Sequence, residues 1–112
     1  MFRRKPNPLI AYELADIKIQ LDDLMGATKN ITFGIANSNN DVMRTYYESQ
    51  GQYQVSMKAA FLYLKGLVKF KENKEENIDA AIAIMDQALA IAPNFNLAMI
   101  SKDALNAQKK KD

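Results

Sequence analysis

Four carboxylates crowd the stretch KENKEENID: Glu72, Glu75, Glu76 and Asp79. Carboxylates that close could hold a divalent cation or divide acid and base roles between them. On a helix, Glu72 would stand beside Glu76, and Glu75 beside Asp79. Lys69, Lys71 and Lys74 are interleaved with them, and the glycine-centred pattern of a calcium loop is missing. The group therefore reads as a solvated turn. Asp22 and Asp23 are adjacent, point apart on a helix, and read as surface charges near a helix end. The chain has no His and no Cys. That removes zinc sites and the commonest nucleophile–base pairs. No glycine-rich phosphate loop, G-x-S-x-G or H-E-x-x-H occurs. The expectation is a protein that is not an enzyme, with no catalytic residues, no cofactor, no metal and no small-molecule substrate.

The other chemistry on offer is cationic. Arg3, Arg4 and Lys5 cluster at the start and Lys109, Lys110 and Lys111 at the end. Setting those six and Asp112 aside leaves nine basic and twelve acidic side chains, a balance of −3, although the whole chain is +2. The basic excess lies in the tails, residues 1–5 and 109–112. Such tails could contact phosphates in a salt-dependent way, and Lys58, Lys65 and Lys69 would share one helix face. A small nucleic-acid-binding or nucleoprotein-associated factor is therefore the alternative reading.

Any such side chain needs elements to position it. At 112 residues, 48% hydrophobic and 25% charged, with four Gly and three Pro, the chain suits a single helical domain over residues 1–112. Asn7-Pro8 is a helix start, with Asn as cap and Pro in the first turn. Ile10, Leu14, Ile17, Leu21 and Leu24 then recur at spacings of 4, 3, 4 and 3, a heptad seam. Gly26 suits a stop. The spacing predicts a first helix over residues 8–27. Residues 28–40, TKNITFGIANSNN, are rich in turn-forming side chains and read as a polar loop.

Met43, Tyr46, Gln50, Tyr53, Met57, Ala60, Leu64 and Leu67 hold a heptad phase across Gly51. They predict one long helix over 41–72, capped at Asn39 or Asn40 and bent or broken near Gly51. A third helix is expected over 75–92, ended by Pro93, and a fourth over 95–108 with Leu97, Ile100, Ala104 and Ala107 inward. The fold class is all-α: four helices, the long one central. Helix three, AAIAIMDQALAIAPN, is apolar on nearly every side, the mark of a helix buried between neighbours.

Tyr63, Gly66 and Phe70, followed by Ala81, Met85, Ala88 and Pro93, resemble the signature of a tetratricopeptide repeat. That family builds helical hairpins with an aromatic–glycine–aromatic pattern on the first helix. Its second helix carries a small–x3–large pair and ends in a proline. The resemblance covers residues 63–93, one degenerate repeat, and implies a hairpin packed in that style.

The function expected is non-catalytic. A small adaptor or structural assembly subunit would work by burying apolar helix faces on a protein partner or on a second copy of itself. The candidate interface residues are Ile10, Leu14, Ile17, Leu21 and Leu24 on the first helix, with Tyr47, Tyr63, Ile84 and Ile91. Tyr46 and Tyr53, on the seam of the long helix, are expected in the core. The longest apolar runs fall well short of the roughly 20 residues that span a bilayer. Glu13 and Asp16 interrupt any signal-peptide core. The chain is expected to be soluble and cytoplasmic.

Overall fold

The computed structural model describes residues 7–38, 42–49 and 51–110. They form five helices and one two-stranded sheet: α1 Pro8–Gln20, α2 Leu24–Asn37, β1 Met43–Glu48, β2 Gly51–Ser56, α3 Met57–Glu72, α4 Ile78–Ile91 and α5 Asn96–Lys110. The fold is mostly helical, with a short β-hairpin between the second and third helices. The helices pack in chain order, each on its predecessor, and α1 also touches α3. The assembly is elongated, 54 × 31 × 23 Å.

α1 starts where the sequence predicts. The Asn7 side chain accepts hydrogen bonds from the Leu9 and Ile10 amides at 3.0 and 3.4 Å. It ends seven residues early, at Gln20. Asp22 takes a left-handed φ of 66°, which Asp tolerates better than most side chains. Asp23 then caps α2, its carboxylate accepting from the Gly26 amide at 3.0 Å. The two adjacent carboxylates therefore make the turn between helices. Asp23→Ala should lower stability by about 1 kcal/mol. Asp22→Gly should be tolerated, whereas Asp22→Val should cost about 1–2 kcal/mol. Thermal denaturation of the three variants checks both.

Of the expected polar loop over 28–40, residues 28–37 are instead the body of α2. Two of its polar side chains bond within their own helix, and the Asn30 side chain accepts from Lys18 Nζ of α1. The Thr28 hydroxyl donates to the Leu24 carbonyl and the Asn37 amide to the Phe33 carbonyl, both at 2.8 Å. Thr28 and Asn37, of types that compete with helix elsewhere, are satisfied inside it here. Ala27, Ile31 and Gly34, at helical spacing, are its buried stripe.

The largest correction is the long helix over 41–72. Its first half is the β1–β2 hairpin, antiparallel, with Tyr46 opposite Tyr53 and Arg44 opposite Val55. Residues alternate: Arg44, Tyr46, Glu48, Tyr53 and Val55 share one face, and Met43, Tyr47, Gln52 and Gln54 share the other. Gly51 has a φ of +136° and opens β2. The expected caps at Asn39 and Asn40, and the seam position Gln50, lie outside the described residues. Only the second half is helical. It is capped by the Ser56 hydroxyl, which accepts from the Ala59 amide at 3.3 Å.

α3 is the central helix. Nine of its sixteen residues are buried. α4 packs its Ala81, Ile84, Met85 and Ala88 side on the core, but it is not the element enclosed on every side. A Cβ on Gly66 would lie 2.9 Å from the Met85 methyl and 3.5 Å from the Ala81 carbonyl. Gly66, Ala81 and Met85 thus meet where α3 crosses α4. Asn73, whose side chain accepts from the Glu75 and Glu76 amides, turns the chain ahead of α4. In α5, Ala98 and Leu105 face the core, whereas Ile100 is exposed, contrary to expectation.

Candidate interaction surface

α1 is built with two apolar sides. Ala11, Tyr12, Ala15 and Ile19 are buried, the alanines allowing close approach. At 3.6 residues per turn, Ile10, Leu14, Ile17 and Leu21 lie almost opposite them. Their exposures run from 43% at Leu14 to 73% at Leu21. Leu9 and Met25 are also exposed nearby in the chain, Met25 at 79%. The heptad seam read from the sequence is therefore the outer face, and Ala11, Tyr12, Ala15 and Ile19 form the inner one. Leu24, the last seam residue, belongs to α2 and is partly buried against the core.

The other candidates divide. Tyr47 projects from the outer face of the hairpin and is 78% exposed. Ile91 is exposed at the end of α4. Tyr63 and Ile84, by contrast, are buried in the core of this chain. Tyr63 is held by Phe95, their ring centroids 5.4 Å apart, and by a hydrogen bond to Ser101. The exposed Leu9, Met25 and Phe33 were not singled out as interface residues by the sequence, since none of them lies on a heptad seam; Met43, read there as a seam position of the long helix, is exposed on the hairpin.

Behind the ridge, α1 is clamped to the hairpin. The Arg44 guanidinium lies 3.9 Å from the centre of the Tyr12 ring and pairs with Glu13 at 2.7 Å. The Tyr12 and Tyr46 hydroxyls are 2.8 Å apart. Tyr46 stacks on Tyr53 and tilts against Phe95, with centroids at 5.5 and 5.1 Å. The Tyr53 hydroxyl donates to Glu48 and accepts from the Leu97 amide. Tyrosines from three distant parts of the chain thus converge behind the face that α1 leaves open.

Burial pushes the Tyr12 hydroxyl up to about 12 and raises that of Tyr46 as well. The protonated forms are favoured in the folded state. Their contribution to stability is whole below about pH 10, the ordinary tyrosine value, and is lost as pH rises above it, for Tyr12 through about 12. Urea midpoints measured across that window should fall steeply for the native chain. They should fall less for Tyr12→Phe/Tyr46→Phe, which removes both hydroxyls together and leaves neither unpartnered.

The remaining charged candidates do not converge. Glu72, Glu75 and Glu76 are exposed, and Asp79 pairs with Lys109 at 2.6 Å. Among the described residues, no group of three or more metal-ligating side chains comes together. Lys109 is thus spent within the chain, Lys110 ends α5, and Arg3, Arg4, Lys5 and Lys111 lie outside the described residues. A groove of about 300 Å³ between α2 and α3 is lined by Ile31, Ile35, Val68 and Lys65 among others. Among the described residues no helix is long and apolar enough to cross a membrane. No protein-family model matches the chain, and neither a curated protein nor a solved structure matches it.

Proposed function

We propose that this chain is a non-catalytic interaction or assembly subunit, working in the cytoplasm, that buries the outer face of α1 on a protein partner. One observation carries the reading. α1 already covers its Tyr12 and Ile19 side against the fold, yet presents a second row of large aliphatic residues to solvent. A helix apolar on both sides belongs in an interior, and this one stands at the edge of the stack. The same reading takes residues 63–93 as a tetratricopeptide-like hairpin, supported by the meeting of Gly66 with Ala81 and Met85. Such hairpins stack side by side and leave an outer helix for the next neighbour to cover.

The test is affinity capture from the native cell, comparing the tagged chain with Leu14→Glu/Ile17→Glu. Both positions are solvent-exposed, so the variant should fold. The proposal expects captured proteins to disappear with the ridge. The same set from both baits would refute it. The nucleic-acid alternative draws on Lys58 and Lys65, which are exposed along α3. It requires DNA or RNA binding that weakens steeply with salt.

A further inference from the structure

We infer that the free edge of β1 pairs antiparallel with β1 of a second copy, about a two-fold axis at Thr45, joining the two hairpins into one sheet. This surface is separate from the α1 ridge, and the inference does not depend on how the ridge is used.

The phase of the hairpin ladder comes first. The Met57 amide donates to the Val42 carbonyl at 2.8 Å, which continues the β1–β2 register by one pair. In an antiparallel pair the ladder bonds fall on alternate residues. Val42, Arg44, Tyr46 and Glu48 therefore turn their backbone groups toward β2. The amides and carbonyls of Met43, Thr45 and Tyr47 point the other way. The sheet has no further strand on that side. Among the described residues, nothing hydrogen-bonds to these outward groups.

The two edges of the hairpin are unlike. On β2, the Gln54 carbonyl points outward in the same phase and accepts from the Asn94 side chain at 2.9 Å. The turn between α4 and α5 thus sits against that edge. β1, MRTYYE, contains neither Lys nor Pro, the residues that most often keep an exposed edge from pairing. The edge that a second copy offers is therefore its own β1. Such a contact closes on itself as a dimer and does not propagate.

The side chains choose the register. About an axis at Thr45, Met43 faces Tyr47 of the other copy, Arg44 faces Tyr46, and Thr45 faces Thr45. Each of the outward residues then exchanges both main-chain bonds with the residue opposite. Met43 and Tyr47 are exposed on the outer face of the hairpin, and the pairing sets the thioether of one beside the ring of the other, a favourable contact. No like charges stand opposite one another. An axis at Arg44 would set two guanidinium groups face to face, which is destabilising. One strand edge is a small contact beside the roughly 800 Å² per partner of a standard interface, so the dimer forms at high micromolar concentration and dissociates on dilution.

Two substitutions on the full chain test the pairing. Thr45→Pro removes an outward amide and no bond to β2, a change that edge strands tolerate. Tyr47→Lys places a charge on the edge at a position already exposed. Light scattering coupled to size exclusion should give the mass of two copies for the native chain at high micromolar concentration. Either variant should give one copy, with the circular dichroism retained; should Thr45→Pro unfold, Tyr47→Lys decides alone. Exchange of the Thr45 and Tyr47 amides with deuterium should slow as the native chain is concentrated. The chain has no cysteine, so Thr45→Cys reports the axis cleanly. Its two copies would stand about 5.5 Å apart at Cα, within reach of a disulfide, and should link to each other on oxidation. A native chain that stays monomeric, a dimer that survives Tyr47→Lys, amides equally protected at every concentration, or Thr45→Cys that does not link would each overturn the inference.

Discussion

Gly34→Ala destabilises the fold by about 1–3 kcal/mol, the reverse of what helix propensity demands. Alanine is favoured over glycine in a helix interior by about 1 kcal/mol. At Gly34 that preference is overruled, because an added Cβ would collide with the tip of the Phe61 ring, at Cζ and both Cε atoms. The ring has nowhere to go. Phe61 is fully buried and sits edge-on to Tyr12, centroids 5.9 Å apart at 66°. Glycine on α2 is what lets the phenylalanine of α3 reach the α1–α2 pair. Phe61→Ala on its own leaves a cavity and costs about 3–5 kcal/mol. In the Gly34→Ala background part of that cavity is filled, so the double variant is less destabilised than the sum of the two. Urea denaturation of the four-member cycle measures the coupling. A Gly34→Ala chain more stable than the native one would contradict the packing described.

Phe95→Ala has the second large effect, about 3–5 kcal/mol. Phe95 is fully buried and follows Pro93 in the turn into α5. Its ring lies within 6.4 Å, centroid to centroid, of Tyr46, Tyr53 and Tyr63. One side chain therefore joins both strands, α3 and the start of α5. Domains of this size are stable by roughly 5–15 kcal/mol, so the truncation removes a large share of the total. Phe95→Leu, which keeps most of the volume, should cost distinctly less. The urea midpoint and the near-ultraviolet tyrosine signal should move together in Phe95→Ala. A loss below about 1 kcal/mol would mean that the aromatic cluster is not the joint between hairpin and helices.

The two variants probe places where local reading of the sequence fails for one shared reason. TKNITFGIANSNN looks like a loop because each Asn, Ser and Thr taken singly favours a turn. What makes residues 28–37 helix is the Ala27–Ile31–Gly34 stripe, whose value depends on Phe61 of α3, far along the chain. VMRTYYESQGQYQVS looks like helix because Met43, Tyr46, Tyr53 and Met57 fit a 3.5-residue period. Its strand alternation was legible in the same letters, in Thr45, Tyr46, Tyr47, Tyr53 and Val55 around a glycine. Both patterns are written there, and the helical one is longer. The partners that decide between them, Tyr12 and Phe95, are far along the chain.

The sequence by itself determined what is governed by near neighbours. The Asn7-Pro8 start, the Asn73 turn, the end of α4 before Pro93 and a predominantly helical chain all rest on bonds and torsions within a few residues. It also determined that the Ile10-to-Leu21 seam is apolar and evenly spaced. Only the tertiary structure decided which side of α1 faces the core, that Tyr63 and Ile84 are buried, and that residues 43–48 and 51–56 pair as strands. Burial and strand pairing are contacts between distant residues. A helix with two apolar sides carries no local mark of which one its own chain will cover.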